Sequence, residues 1–359
     1  MMRSLLRWMV LPLLLVLPVN TMQAQKVEWN LSAHAFIDNS EGNHHYAVNQ
    51  TLTGLRLTPE IGISSHEATH RIMLGATGLS EWGNKGKISG LAVTAYYRYQ
   101  KNGFKFTIGS FMRSTLEEEM ESYLLSDSLK YYRPLMQGMH LSHTSSTHLL
   151  EAYLDWTGMR RGVSNEQFML GMNAWNRWGN FKAGLKGYYY HYAFSGKRTN
   201  DDHIRDHALI RPFVSYSFTP SGILKDLEIK AGALIGLDRK RASVHEKEQG
   251  IKGQWKTPAG LLLEIKAHVF RFRLNETFYT GGRQLPEGFR QTSDFYWSES
   301  YIHSGWWSRT DLFYDILDKG PVHLEAGVIL HATHRGVNHH QVLSLKVDLS
   351  SKNTGKLHF

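Results

Sequence analysis

The sequence predicts an all-β protein, a transmembrane antiparallel up-and-down β-barrel of about sixteen strands, with fourteen as the alternative. Three observations predict it. Alternation of apolar and polar residues recurs along nearly the whole chain, the connections between the alternating segments are short on one side and long on the other, and the amino terminus reads as an export signal.

The export signal comes first in the chain. In MMRSLLRWMVLPLLLVLPVNTMQAQ, Arg3 and Arg7 precede an apolar run over residues 8–19, and a polar stretch then ends in the small residue Ala24. Cleavage is expected after Ala24, leaving residues 1–24 as signal peptide and 25–359 as a single barrel domain. A membrane anchor is the alternative, but the run is broken by Pro12 and Pro18 and falls short of the roughly 18 residues of a spanning helix. With zero cysteines, a disulfide framework, thiolate metal sites and cysteine nucleophiles are all excluded. The formal charge of +9 falls to +7 without Arg3 and Arg7, and loops such as DRKRASVHEKEQ and THRGVNHH carry that mild excess.

From Val27 onward the strands follow one another. VEWNLSAHAFI sets Val27, Trp29, Leu31, Ala33, Ala35 and Ile37 opposite Glu28, Asn30, Ser32, His34 and Phe36. GLRLTPEIGI, FKFTIGSFMR, HLLEAYLDW, FKAGLKGYYYHY, ALIRPFVSYSF, LEIKAGALIGL, GLLLEIKAHVF, VHLEAGVIL and QVLSLKVDL repeat the pattern, and most approach the 9 to 11 residues that a tilted spanning strand needs. SSHEAT, KNG, SST, WGN, TPSG, RF and DKGP are the short connections, expected on the periplasmic side. Most of the opposite connections are long, the first of the longest spanning residues 114–135. A soluble sandwich would alternate too, but it would bury its aromatic rings centrally. Here Trp29, Trp82, Trp156, Trp178, Trp255 and Trp306 fall at strand ends, where interfacial girdles are built.

With the apolar face set against lipid, the other face lines the lumen. The lining candidates are Arg56, Glu60, Arg98, Lys105, Arg113, Glu151, Asp155, Lys182, Lys186, Arg211, Glu228, Lys230, Glu264, Lys266, His268, Arg309 and Asp311. An Arg or Lys facing lipid at mid-bilayer costs about 2 to 4 kcal/mol, so this many charges require a wet or mutually paired interior. In residues 114–135, the acids Glu117, Glu118 and Glu119 lie among Leu116, Met120, Tyr123 and Leu124 at helical spacing. An exposed acidic loop is the expectation; a short helix folded into the mouth, with the three acids facing basic wall residues, is the alternative.

The stretches FIDNSEGNHHYAVNQTLTGLRLTPEIGI, SDSLKYYRP and DHIRD, behind the signal and among the alternating strands, resemble an outer-membrane β-barrel protein of the Bacteroidota type. The resemblance covers nearly the whole mature chain and implies location and fold, not an activity. In many such barrels a terminal aromatic residue is read by the assembly machinery; Phe359 would be that residue here, although SSKNTGKLH separates it from the last alternating strand.

Several groupings contain residue types that carry chemistry. His140 and Ser142 are two apart and resemble the His-x-Ser arrangement of outer-membrane phospholipase barrels, but their inward parity takes them away from lipid. Glu151 and Asp155, like Asp311 and Asp315, stand four residues apart, about 13 Å along a strand, which exceeds the roughly 5 to 9.5 Å of a glycosidic carboxylate pair. DDHIRDH offers Asp201, Asp202, His203, Asp206 and His207, and His339 adjoins His340, but no helical periodicity holds such residues in a metal-ligand arrangement. No catalytic residue, metal or cofactor is expected.

The functional expectation is therefore a porin-like passive channel for small polar solutes with a mixed-charge lumen, and not an enzyme. A barrel that engages a glycan or protein partner through its long extracellular loops is the alternative, and a lipid-modifying barrel enzyme a weaker one. Expected partners are outer-membrane lipid, the barrel assembly machinery and a small polar solute or glycan; nucleic acid is not expected. The expected location is the cell outer membrane, as a multi-pass barrel.

Overall fold

The structure, a computed structural model, describes residues 26–43, 49–65, 67–125, 127–159, 166–193, 204–285 and 300–352. The expected signal peptide, the first three residues of the DDHIRDH run (Asp201, Asp202 and His203) and Phe359 lie outside the described residues.

Sixteen strands close into one antiparallel barrel in which every neighbour in sequence is a neighbour in space. They are β1 (Lys26–Gly42), β2 (Gln50–Ser64), β3 (His70–Glu81), β4 (Gly90–Lys101) and β5 (Phe104–Met112). Next come β6 (Leu135–Thr144), β7 (His148–Gly158), β8 (Glu166–Trp178), β9 (Phe181–Ala193), β10 (Arg205–Ser217) and β11 (Leu224–Lys240). The remainder are β12 (Ala259–Val269), β13 (Phe272–Gly281), β14 (Trp306–Lys319), β15 (Val322–Thr333) and β16 (Gly336–Ser350). Closure is made by β1 against β16, in a register running from Asn30 opposite Ser350 to Gly42 opposite Asn338. No sheet edge is left, which is the condition for strands to cross a bilayer with their backbone groups satisfied.

The two-residue period sets the faces. Val27, Ile61, Leu91, Val93, Leu150, Val214 and Leu261 are exposed on the outer wall, while the alternate residues beside them, such as Glu28, Arg56, Thr94, Glu151 and Glu264, are buried on the inner one. Trp82, Trp156, Trp178, Trp255 and Trp306 are exposed near strand ends, the placement that amphipathic rings favour at the two interfaces of a membrane. At one end the strands are joined by short turns, as between Lys101 and Phe104 or Lys319 and Val322; the other end carries the longer connections.

The connection from β5 to β6 departs from expectation. Instead of standing exposed, residues 113–134 fold into the barrel. Tyr123, Leu125 and Leu129 are buried, and Leu116, Met120 and Leu124 pack on an inner aromatic cluster that includes Tyr190, Tyr279 and Trp307. The helical spacing read over residues 116–124 does not become a helix. A helix forms later, α1 (Asp127–Tyr132). Apolar residues that looked like one helix face serve a different purpose, filling a lumen too wide for wall side chains to close.

Just below this infolding, Gly109 on β5 has φ +127, and a Cβ there would lie 2.1 Å from the Ala95 carbonyl oxygen. Only glycine lets β4 and β5 approach so closely at that backbone conformation.

Candidate functional site

The inner wall is a set of ion pairs, and the infolded segment completes many of them. Lys105 holds Glu117 at 2.6 Å, and Lys186 holds Glu118 and Glu121, each at 2.9 Å. Arg211 reaches Glu121 at 2.9 Å and Glu264 at 2.6 Å, and Lys230 approaches Glu264 at 3.2 Å. Arg309 clasps Asp127 at 2.7 Å and Asp311 at 2.7 Å. Arg113, at the root of the segment, pairs with Asp155 at 2.7 Å. The segment thus passes β5, β9, β10 and β14 before its helix ends against β2 and β1, where Arg56 of β2 donates to the Tyr131 carbonyl and Tyr131 stacks on Phe36 of β1 with centroids 4.0 Å apart.

The other lining candidates have their own partners. Glu60 accepts hydrogen bonds from Asn30 and Tyr96, Arg98 donates to Thr107 and Thr115, and Lys182 pairs with Glu228 at 3.3 Å. His268 lies 3.7 Å from Asp315. Lys266 is exposed, opposite Glu228 in the β11–β12 register. Of the three acids singled out in the segment, Glu117 and Glu118 meet the wall lysines; sequence reasoning missed Glu121 and Asp127, whose partners come from strands far along the chain.

His140 and Ser142 do not act on each other. His140 Nε2 bonds Glu151 Oε1 at 2.8 Å, and Ser142 donates to Glu117 at 2.9 Å. Glu151 is fully buried and also accepts from the Glu117 backbone N–H and from Asn173. This is scaffolding for the infolded segment. Asp206 and His207, the metal-ligand candidates in the described part of DDHIRDH, are likewise engaged, Asp206 with Arg239 and Arg241 and His207 with Asp238.

A metal-like grouping, Asp315, His323 and Glu325, brings its ligand atoms within 4.8 Å of one another near the short-turn end. Arg273 ion-pairs with both carboxylates there, so a guanidinium already supplies the positive charge.

Barrel closure builds a constellation that the linear sequence hides. Asp38 and Ser40 share the inner face of β1, close to its long-loop end, and His340 stands directly opposite Ser40 on β16. His340 Nδ1 lies 2.9 Å from Asp38 Oδ1, and its Nε2 lies 3.5 Å from Ser40 Oγ. The Asn338 side-chain amide is 3.4 Å from the same Oγ. All three members of the chain are buried, Asp38 at 2%, Ser40 at 6% and His340 at 9% exposure. A carboxylate on Nδ1 holds the imidazole in the tautomer whose Nε2 can take a proton from the serine, and a slightly long hydroxyl–imidazole contact is ordinary in the absence of substrate.

Residues 19–310 match the family described as lipid A 3'-O-deacylase-type. The chain belongs to that family. This corrects the expectation that the protein is not an enzyme, because the family it falls in is described by a hydrolytic activity. Among solved structures, the deacylase-type barrel resembles the outer membrane protein OprD from Pseudomonas aeruginosa, with 9% identity over 93% of this chain and 96% of that one, at a TM-score of 0.50. OccK8 (OprE) from the same organism is similar at 10% identity over 90% and 98%, TM-score 0.52. An anion-selective porin from Comamonas acidovorans is similar at 11% identity over 91% and 99%, TM-score 0.51. At such identities the likeness is one of fold: the deacylase-type chain is an outer-membrane β-barrel of porin-like architecture. No curated protein matches it.

Proposed function

We propose that this barrel hydrolyses an acyl ester of an outer-leaflet lipid of the lipid A class, with Ser40 as nucleophile, His340 as general base and Asp38 as the carboxylate that orients it. The hydroxyl–imidazole–carboxylate chain of Ser40, His340 and Asp38 is the observation that carries this reading. Family membership supports the reaction class.

The chemistry follows the geometry. Ser40 Oγ attacks the ester carbonyl while His340 Nε2 accepts its proton, and Asp38 stabilises the imidazolium. Asn338 is the side chain placed to donate to the developing oxyanion. Collapse breaks the ester bond, His340 returns the proton to the leaving alkoxide, and the acyl group stays on Ser40. Water, deprotonated by His340, then releases the fatty acid and restores the hydroxyl. The site faces inward, as His140 and Ser142 do, but it lies two residues from the long-loop end of β1, at the rim where an outer-leaflet headgroup lies.

Incubating the purified barrel with lipid A and measuring fatty acid released tests the reading. Ser40→Ala should abolish release while leaving the heat-dependent gel migration of the barrel intact; release at the parental rate from that variant would remove Ser40 from the reaction.

Passive passage of small polar solutes is a second reading, supported by the mixed-sign inner wall and by the exposed Lys266. Stable conductance steps in a planar bilayer are its expected signature, and a silent folded barrel its refutation.

A further inference from the structure

The outer wall carries one side chain that hydrocarbon does not suit. Glu276 on β13 shares the two-residue period of Phe272 and Phe278, which are exposed on the lipid-facing side, while Thr277 and Tyr279 on the alternate period are buried inside. Its register partners are Ile265 on β12 and Thr310 on β14. Among the described residues it is the one charged side chain on that face away from the strand ends; other outward charges, such as Lys101 and Arg239, stand at the ends of β4 and β11. The same register fixes its depth. Four residues toward the short turns, Phe272 meets Tyr314 with ring centroids 4.9 Å apart, and four residues toward the long loops, Thr280 stands opposite the exposed Trp306. Glu276 is therefore about 13 Å along the strand from either aromatic level, at the middle of the apolar band.

Within its own barrel Glu276 is only partly provided for. The Thr310 hydroxyl donates to one carboxyl oxygen, and among the described residues no Lys, Arg or His forms an ion pair with it. Two carboxyl oxygens accept more than one hydroxyl can give, and an ionisable group left against lipid at this depth is costly. Ser308, two residues from Thr310 on the same outward face of β14, adds a second hydroxyl to the patch. Lipid headgroups lie at the ends of the apolar band and not at its middle. What can hydrogen-bond to Glu276 at mid-depth is therefore another protein wall.

We propose that the face of β13 and β14 around Glu276 is the contact between two copies of this barrel in the outer membrane. Copies inserted in the same direction are related by an axis along the membrane normal, so each residue meets the other wall at its own depth. A two-fold contact of that kind sets the Glu276 carboxyl of one copy against the Thr310 and Ser308 hydroxyls of the other. Acceptor and donors are held together in one patch, as a self-complementary surface requires. Phe272, Phe278 and Leu312, exposed around it, pack across the contact in place of lipid. The contact makes no use of the Ser40 constellation and holds whether or not Ser40 is a nucleophile.

The chain has no cysteine of its own, so a single introduced thiol reports on one position. Thr280→Cys places it at the Trp306 level of the same face, and Gln137→Cys at an exposed outward position on β6, across the barrel. In lipid vesicles holding only the purified full-length protein, a short bismaleimide is expected to link Thr280→Cys into a two-chain species and to leave Gln137→Cys as single chains. Adding Glu276→Leu to Thr280→Cys should weaken association at least about tenfold, roughly 1.4 kcal/mol, read from the protein-to-lipid ratio at which half the chains are linked. Leucine suits the lipid face, so heat-dependent gel migration should persist; Thr310→Val takes its place if Glu276→Leu does not fold. Equal linkage from the two cysteine positions, no linkage from Thr280→Cys, or linkage undiminished in the folded Glu276→Leu or Thr310→Val barrel overturns the proposal.

Discussion

Asp127 and Arg309 lie 182 positions apart in the chain and clasp one another through two hydrogen bonds, of 2.7 and 3.2 Å, inside the barrel. Asp127 opens α1 and Arg309 belongs to β14, so this pair ties the first turn of the infolded helix to the wall. Removing one partner of such a buried pair leaves the other charge uncompensated, at a cost of about 3 to 5 kcal/mol. Asp127→Ala should therefore release the segment without opening the barrel. Limited proteolysis with a glutamate-specific protease is expected to cut within residues 117–121 in the variant and not in the parent, both retaining heat-dependent migration. Equal resistance would show that apolar packing of Tyr123 and Leu129 alone suffices.

Acid should do reversibly what that substitution does permanently. Burial by itself would raise the carboxyls of Glu118 and Glu121, but Lys186 and Lys230, joined by Arg211 at Glu121, outweigh it and hold both below the ordinary carboxylate value of 4.5. Asp127 is likewise raised by burial and lowered further by Arg309 and Lys130. A depressed folded-state value contributes stability that is complete above the free-segment value and is lost as pH falls through the folded one. Docking is thus expected to be constant from neutrality down to about pH 5 and to weaken below pH 4. Trp175, which donates to Glu118 at 2.9 Å, is the reporter: its fluorescence should change in that acid range and recover on neutralisation.

In the hydrolytic reading, Asp38 should matter through its hold on His340. Asp38→Asn keeps the size of the side chain but favours the wrong imidazole tautomer, and comparable losses in serine hydrolases reach about 10⁴-fold in kcat. Acyl release by the variant should fall steeply in kcat with KM little changed. A pure KM effect would mean that Asp38 binds substrate instead.

Glu151 provides the complementary case, a carboxylate whose work is structural. It is fully buried and bonded to His140, Asn173 and the Glu117 backbone. Glu151→Ala leaves those donors unsatisfied, each at about 1 to 3 kcal/mol. The urea midpoint of unfolding should drop and residues 113–134 should become protease-sensitive, whereas acyl release by barrels still folded should persist.

The barrel was legible because its physics is local. Period-two alternation such as that of GLLLEIKAHVF states by itself which side of a strand meets lipid, and short turns such as KNG and DKGP state where chains reverse. The same local rule misled in residues 116–124, where apolar residues at helical spacing pack along the wall without forming a helix. Nothing within that segment says which lysines and arginines will face it. Lys105, Lys186, Arg211 and Arg309 are collected from four strands, and the pull they exert together is a property of the closed wall.

Strand period, turn placement and the inward parity of charges such as Arg211 and Glu264 were therefore present in the linear chain, because each depends on neighbours a few residues away. The Asp38–His340–Ser40 chain was not. Its members sit 300 residues apart on the first and last strands, and only closure of β1 against β16 sets imidazole beside hydroxyl and carboxylate. The infolded segment depends on the same closure, since charge compensation arises from which strands meet.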